Sequence, residues 1–168
     1  MSTVHRIIDS PLGALTLAGD GEALTGLYFS APVHPPAPPA PRAAAVLGTR
    51  VTTGFDAGVE QLREYFAGAR REFDLALRPA GSRFQQQVWN LVRRIPYGET
   101  RSYGQLAAQL GDPAKSRAVG AANGQNPLPI IVPCHRVIGA DGRLTGYGGG
   151  LDRKRVLLGL ERSEVLVP

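Results

Sequence analysis

The chain has 168 residues, 43% hydrophobic and 20% charged, enough for one domain or two small ones with an ordinary buried core. No apolar run approaches the roughly 18 residues of a membrane span, and the opening MSTVHRIIDSPLG lacks the apolar stretch of a secretory signal. The single cysteine excludes an internal disulfide and a multi-cysteine zinc site, and fits a reducing compartment, so a cytoplasmic location is expected.

Net charge is +5 and unevenly placed: residues 1–81 sum to −1 and residues 82–168 to +6. A one-sided basic excess points to a polyanion, with nucleic acid the first candidate and a solubilising surface the plain alternative.

In chain order, VHRIID, GALTLAG and ALTGLYFS are short strand-like segments, separated by Pro11-Leu12-Gly13 and Gly19-Asp20-Gly21. They predict an antiparallel meander. Residues 31–42 hold six of the fourteen prolines and read as an exposed extended loop. DAGVEQLREYFAG predicts a helix with Val59, Leu62, Tyr65 and Phe66 on one face and Gly68 at its end. REFDLAL reads as a strand, and RPAG, residues 78–81, as the boundary between a domain at 1–81 and another at 82–168.

The second half is mostly helical. Ser82 is placed to cap a helix whose apolar face carries Phe84, Val88, Leu91, Val92 and Ile95, and Pro96 stops it. Ser102 is placed to cap YGQLAAQL, and Gly111-Asp112-Pro113 turns the chain into SRAVGAANG, a helix-turn-helix pattern. The second of these helices is poor in long polar side chains and offers Ala118, Gly120, Ala121 and Ala122. That suits close approach to a minor groove about 6 Å wide, or equally packing against another helix. LDRKRVLLGLE predicts a final amphipathic helix, with Val156, Leu157 and Leu160 inward and Arg153, Lys154 and Arg155 mostly outward.

The one cysteine lies in IIVPCHRVIG, stiffened by Pro127, Pro129 and Pro133 and followed by the glycine-rich LTGYGGG. A free thiol is only about 3% ionised at pH 7, so a nucleophilic Cys134 needs help. His135 is adjacent, although neighbours in an extended segment point apart, so a bend or a bridging water is required. Glu161 is the candidate carboxylate to orient His135. The plain alternative is that Cys134 is a small core residue.

NPLPIIVPCHRVIG resembles the active-site motif of the O6-alkylguanine-DNA alkyltransferases. FQQQVWNLVRRIPYGETRSYGQLA, SRAVGAANGQNP and GYGGGLDRKRVLLGLE extend the resemblance over essentially all of residues 82–168, while the first half resembles the family only loosely. It implies an α+β protein: a ribonuclease-H-like antiparallel sheet domain, then a mostly helical domain with a winged-helix-like helix-turn-helix. It implies that Cys134 accepts the alkyl group irreversibly, once per molecule, from O6-alkylguanine in double-stranded DNA, with O4-alkylthymine a further candidate substrate.

By the same resemblance His135 is the water-mediated base, Glu161 orients it, Asn126 holds the active-site turn, and Tyr103 crowds the target phosphate. Arg117 replaces the flipped base, Ala118, Ala121, Ala122 and Lys115 face DNA, and Tyr147, Gly148 and Pro129 line the alkyl pocket. No cofactor, metal or membrane is expected. A monomer is expected in solution, with cooperative packing on DNA compatible with it. Three other readings compete: a lesion-sensing module, which the cysteine argues against; a turning-over cysteine hydrolase; and a helix-turn-helix transcription factor, which would want a polar reading helix.

Overall fold

The structure is a computed structural model that describes residues 2–30, 47–144, 147 and 149–162. The proline-rich loop expected at 31–42 lies outside the described residues, as does Gly148. The chain forms two compact units, Met1–Ala80 and Gly81–Pro168, dividing within RPAG.

In the first unit, β1 (Val4–Ile8), β2 (Leu15–Gly19) and β3 (Leu24–Phe29) form the expected antiparallel meander. A short β4 (Thr49–Arg50) pairs parallel with β1, giving the order β3-β2-β1-β4. Ser10 and Gly13 close the first hairpin, with the Gly13 N–H donating to the Ser10 carbonyl at 3.0 Å. Gly13 takes a φ of 94°, in the left-handed region that favours glycine. The Asp20 carboxylate accepts the N–H groups of Glu22 and Ala23, both at 2.9 Å, and so shapes the second turn. The core of this unit includes Leu15, Leu17 and Leu27 of the sheet and Val59, Leu62 and Tyr65 of α1 (Asp56–Phe66). The i, i+3, i+6 spacing of those α1 residues makes one face.

The REFDLAL segment is not a strand. It touches β3 at a single bridge, Leu24 with Leu77. Farther back, Asp74 is held by a side chain: the Gln61 amide donates to its carbonyl at 3.0 Å and accepts its N–H at 2.9 Å. A buried glutamine on α1 therefore substitutes for a neighbouring strand.

The second unit starts with Gly81, where a Cβ would lie 2.4 Å from the Trp89 ring. Helices α2 (Arg83–Arg93) and α3 (Tyr103–Gln109) both open with a capping box. Ser82 accepts the Gln85 N–H at 3.1 Å while the Gln85 side chain accepts the Ser82 N–H at 2.8 Å, and Ser102 and Gln105 repeat the pattern. Helix α3 ends in a Schellman motif: Asp112 N–H to the Ala107 carbonyl and Gly111 N–H to the Ala108 carbonyl, with Gly111 at φ 91°. A 3-10 turn, Pro113–Lys115, then leads into α4 (Ser116–Gly124), completing the helix-turn-helix.

The core of this unit takes in Val88, Trp89 and Val92 of α2, Leu106 and Ala107 of α3, Val119 and Ala122 of α4, and Leu157 and Leu158 of α5 (Leu151–Glu161). The Trp89 indole N–H donates to the Ala122 carbonyl at 2.8 Å, pinning α2 to α4. Two short strands, β5 (Arg101–Ser102) and β6 (Val137–Ile138), pair in parallel.

Two side-chain assignments differ from the sequence pattern. Ala122, expected on the small DNA-facing surface, is 2% exposed because α2 packs on that side of α4. On α5 the inward stripe is Lys154, Leu157, Leu158 and Glu161, while Val156 is exposed. The charge of Lys154 favours an outward position, but its ammonium donates to the Val137 carbonyl at 2.6 Å and the side chain lies inward.

Candidate active site

The site is built at the end of α4. The Asn126 carboxamide accepts the Leu128 N–H at 2.9 Å and donates to the Val132 carbonyl at 2.9 Å, while the Val132 N–H reaches the Leu128 carbonyl at 2.8 Å. One side chain thus clips a five-residue loop shut. Within that loop, buried Ile130 sits at φ 73°. This left-handed conformation costs a β-branched residue on the order of 1–3 kcal/mol, and it persists only where surrounding bonds enforce it. Pro129 is buried in the same loop.

The chain then bends at the cysteine. Residues Cys134–Arg136 form a 3-10 turn. Cys134 is 5% exposed and His135 wholly buried.

Three long side chains meet behind the thiol. The Glu161 carboxylate contacts His135 Nε2 at 2.6 Å and accepts from Arg136 Nε at 2.7 Å and Nη2 at 3.0 Å. The remaining Arg136 Nη1 donates to the Ile95 carbonyl at 2.6 Å, and the guanidinium lies 5.7 Å from the Tyr97 ring centroid. Glu161 is therefore fully engaged. Burial pushes its carboxyl up, but the hydrogen bonds and charges of His135 and Arg136 outweigh that and hold it at about 2.

Burial lowers the His135 pKa, opposed by the hydrogen bond and charge of Glu161. With Nε2 held by Glu161, Nδ1 is buried and has no hydrogen-bond partner among the described residues. That nitrogen is the one free to take a proton.

The thiol itself is not ionised at rest. Burial pushes Cys134 up to about 11, against the opposing pull of the Asn126 hydrogen bond and the nearby Lys154 charge. Desolvation in turn lowers the Lys154 pKa. The Tyr147 hydroxyl is buried, and burial together with the neighbouring Cys134 raises its pKa well above the usual value.

Tyr103 opens α3 half-buried, its ring in van der Waals range of the position a Gly120 Cβ would take, at 3.5 Å. Arg117, Ala118 and Ala121 are exposed along α4. Lys115 is exposed, its ammonium 5.7 Å from the Phe84 ring centroid.

Cys134, His135, Glu161, Asn126 and Tyr147 thus converge on one centre, while Tyr103, Lys115, Arg117, Ala118 and Ala121 lie on α3, α4 and the turn between them. Sequence reasoning missed three contributors: Arg136 as a two-pronged clamp on Glu161, Lys154 beneath the turn, and Asn123, whose amide donates to the Cys134 carbonyl at 3.3 Å. Lys154 and Glu161 share a helical face at i, i+7, which was the available signal.

Residues 3–79 match the 6-O-methylguanine DNA methyltransferase ribonuclease-like domain, and residues 83–163 match the DNA binding domain of the same family. The chain is 54% identical to a methylated-DNA--protein-cysteine methyltransferase of Mycobacterium bovis over 159 residues, 95% of this chain and 92% of that protein. Its fold is similar to the crystal structure of Mycobacterium tuberculosis O6-methylguanine methyltransferase, at TM-score 0.85 and 51% identity over 99% of this chain and 96% of that one. It is also similar to Mycobacterium tuberculosis OGT in complex with DNA, at TM-score 0.82 and 52% identity over 95% and 92% of the two chains. With both of its units matched in order, the chain belongs to the 6-O-methylguanine DNA methyltransferase family.

Proposed function

We infer that the protein repairs DNA by moving the alkyl group of O6-alkylguanine onto its own Cys134. The observation that carries this reading is the buried Cys134-His135-Glu161 cluster at the end of the helix-turn-helix, in a chain of this family.

At an unperturbed pH of 7, a thiol held at about 11 is ionised in only about one molecule in ten thousand. The resting protein is thereby shielded from adventitious electrophiles. When the alkylated base is seated, the thiol proton passes to His135 Nδ1 through a water, and Glu161 stabilises the imidazolium from the other side. The sulfur then attacks the alkyl carbon in line. The S–C bond forms, the C–O6 bond breaks with its electron pair leaving on the base, and a proton from Tyr103 or solvent neutralises it. The products are a thioether and restored guanine. No oxidant, reductant or cofactor enters this balance, and no second cysteine is present to take part in regeneration.

Burial of Cys134 requires the nucleotide to leave the helix stack, at a cost of a few kcal/mol, less for a weakly paired lesion. The exposed small residues Ala118 and Ala121 suit approach of α4 to the minor groove, and exposed Arg117 is the side chain long enough to fill the vacated place. Lys115 adds charge beside them. The acceptor works as a monomer in the cytoplasm, where a lone thiol stays reduced.

The test is a titration of the protein with duplex DNA carrying one O6-methylguanine, with no added cofactor. Repair stops at one lesion per protein on this reading. Continued turnover overturns it in favour of a hydrolase.

A further inference from the structure

We propose that Asn123 is a positioning residue that couples α4 to the acceptor turn, so that seating of the helix on DNA sets the aim of the Cys134 sulfur. This rests on the reading of Cys134 as alkyl acceptor and adds a residue to it.

Helix α4 has two faces with different tasks. Arg117, Ala118 and Ala121 are exposed, while Val119, Ala122 and Asn123 are buried. Asn123 is only 3% exposed, and its Nδ2 donates to the Cys134 carbonyl at 3.3 Å. That carbonyl also accepts the Val137 N–H that closes the 3-10 turn. The amide orientation is determined by chemistry, since the reverse would set Oδ1 against a carbonyl oxygen.

The other half of the amide is left without a partner: Asn123 Oδ1 is buried and unbonded among the described residues. A buried acceptor without a hydrogen bond is a standing cost that leucine, of the same branched shape, would avoid. Packing alone therefore does not account for an asparagine here; the bond to Cys134 does. Asn126, just beyond the same helix, holds the Val132 carbonyl at 2.9 Å. Two amides from one end of α4 thus grip the carbonyls on either side of Pro133. Asn126 shapes the loop and hydrogen-bonds the thiol, while Asn123 holds the backbone carbonyl of the residue that carries the sulfur. A small shift of α4 is passed directly to the backbone from which the Cys134 side chain springs.

The test uses the full chain with Asn123→Leu. Transfer rates are measured with duplex DNA carrying O6-methylguanine and with the free O6-methylguanine base, beside duplex affinity and thermal midpoint. Loss of the link between α4 and the turn should slow the duplex reaction about 10-fold more than the free-base reaction, with the duplex affinity little changed. Equal loss on both substrates, or no loss on the duplex, overturns the coupling.

Asn123→Asp supplies an independent reading. A protonated carboxyl can donate to the Cys134 carbonyl and a carboxylate cannot, so the duplex-to-base rate ratio should approach wild type at low pH and fall as pH rises. A ratio parallel to wild type at every pH overturns the proposal. Wild-type protein that gains no methyl group removes the parent reading too, whereas wild-type transfer with an unaffected Asn123→Leu removes only the coupling.

Discussion

Glu161→Gln slows alkyl transfer by about 10²-fold, because it disables the general base that Glu161 orients. The carboxylate holds the Nε2 side of His135 at 2.6 Å and leaves Nδ1 to take the thiol proton. A neutral amide cannot stabilise the imidazolium that results, and it can set the wrong tautomer. The thiol, already at about 11, then has no effective acceptor for its proton.

The same substitution has a stability signature whose sign is fixed. Glu161 titrates at about 2 when folded against a usual 4.5. Its contribution is fully present above about pH 4.5 and is lost as pH falls towards 2. His135, whose pKa is lowered by burial, adds stability above its usual 6.5 that is lost as pH falls through its depressed folded value. Both groups therefore contribute to the loss of stability in acid, and Glu161→Gln lacks the contribution at the lower pH. Single-turnover rates and thermal midpoints between pH 3 and 8 check both statements. Wild-type kinetics in the variant would contradict the relay.

Arg136→Met destabilises the protein by about 3–5 kcal/mol, the range expected when one partner of a buried ion pair is removed. Met fills the volume but deletes two hydrogen bonds to Glu161 and one to the Ile95 carbonyl. The buried carboxylate keeps its contact with His135 but loses the charge that Arg136 sets against it. Its pKa then rises, and one of the two positive charges that lower His135 is gone as well, with Lys154 remaining. Arg136→Lys restores the charge but not the fork: an ammonium cannot span both carboxylate oxygens and the Ile95 carbonyl together. It should recover only part of the loss. Chemical denaturation of the three proteins checks this, and a loss below about 1 kcal/mol in Arg136→Met would mean the clamp is not structural.

Much of this was legible because the signals are local. Ser82 with Gln85 and Ser102 with Gln105 announce two helix starts. Gly111 marks the turn of the helix-turn-helix, and the prolines and Asn126 frame the acceptor loop. What escaped depends on distance and burial. Charge argued that Lys154 faces water, yet its hydrogen bond to Val137, 17 residues earlier, turns it inward. The 71–77 segment has strand composition, but a side chain, Gln61, takes the place a strand would need. Ala122 belongs by composition with Ala118 and Ala121, and only the packing of Trp89 on α4 separates them. The partnership of Arg136 with Glu161 spans 25 residues and has no periodicity to betray it.

The central claim is that one thiol is the reagent. Intact-protein mass after incubation with duplex DNA bearing a single O6-methylguanine tests it most directly, with Cys134→Ser alongside. The account predicts a gain of one methylene in the wild type, never more than one per protein, mapped by peptide mass to Cys134 and absent from the serine variant. A wild type that binds the duplex yet gains no mass, or a serine variant that gains it as readily, would contradict the account.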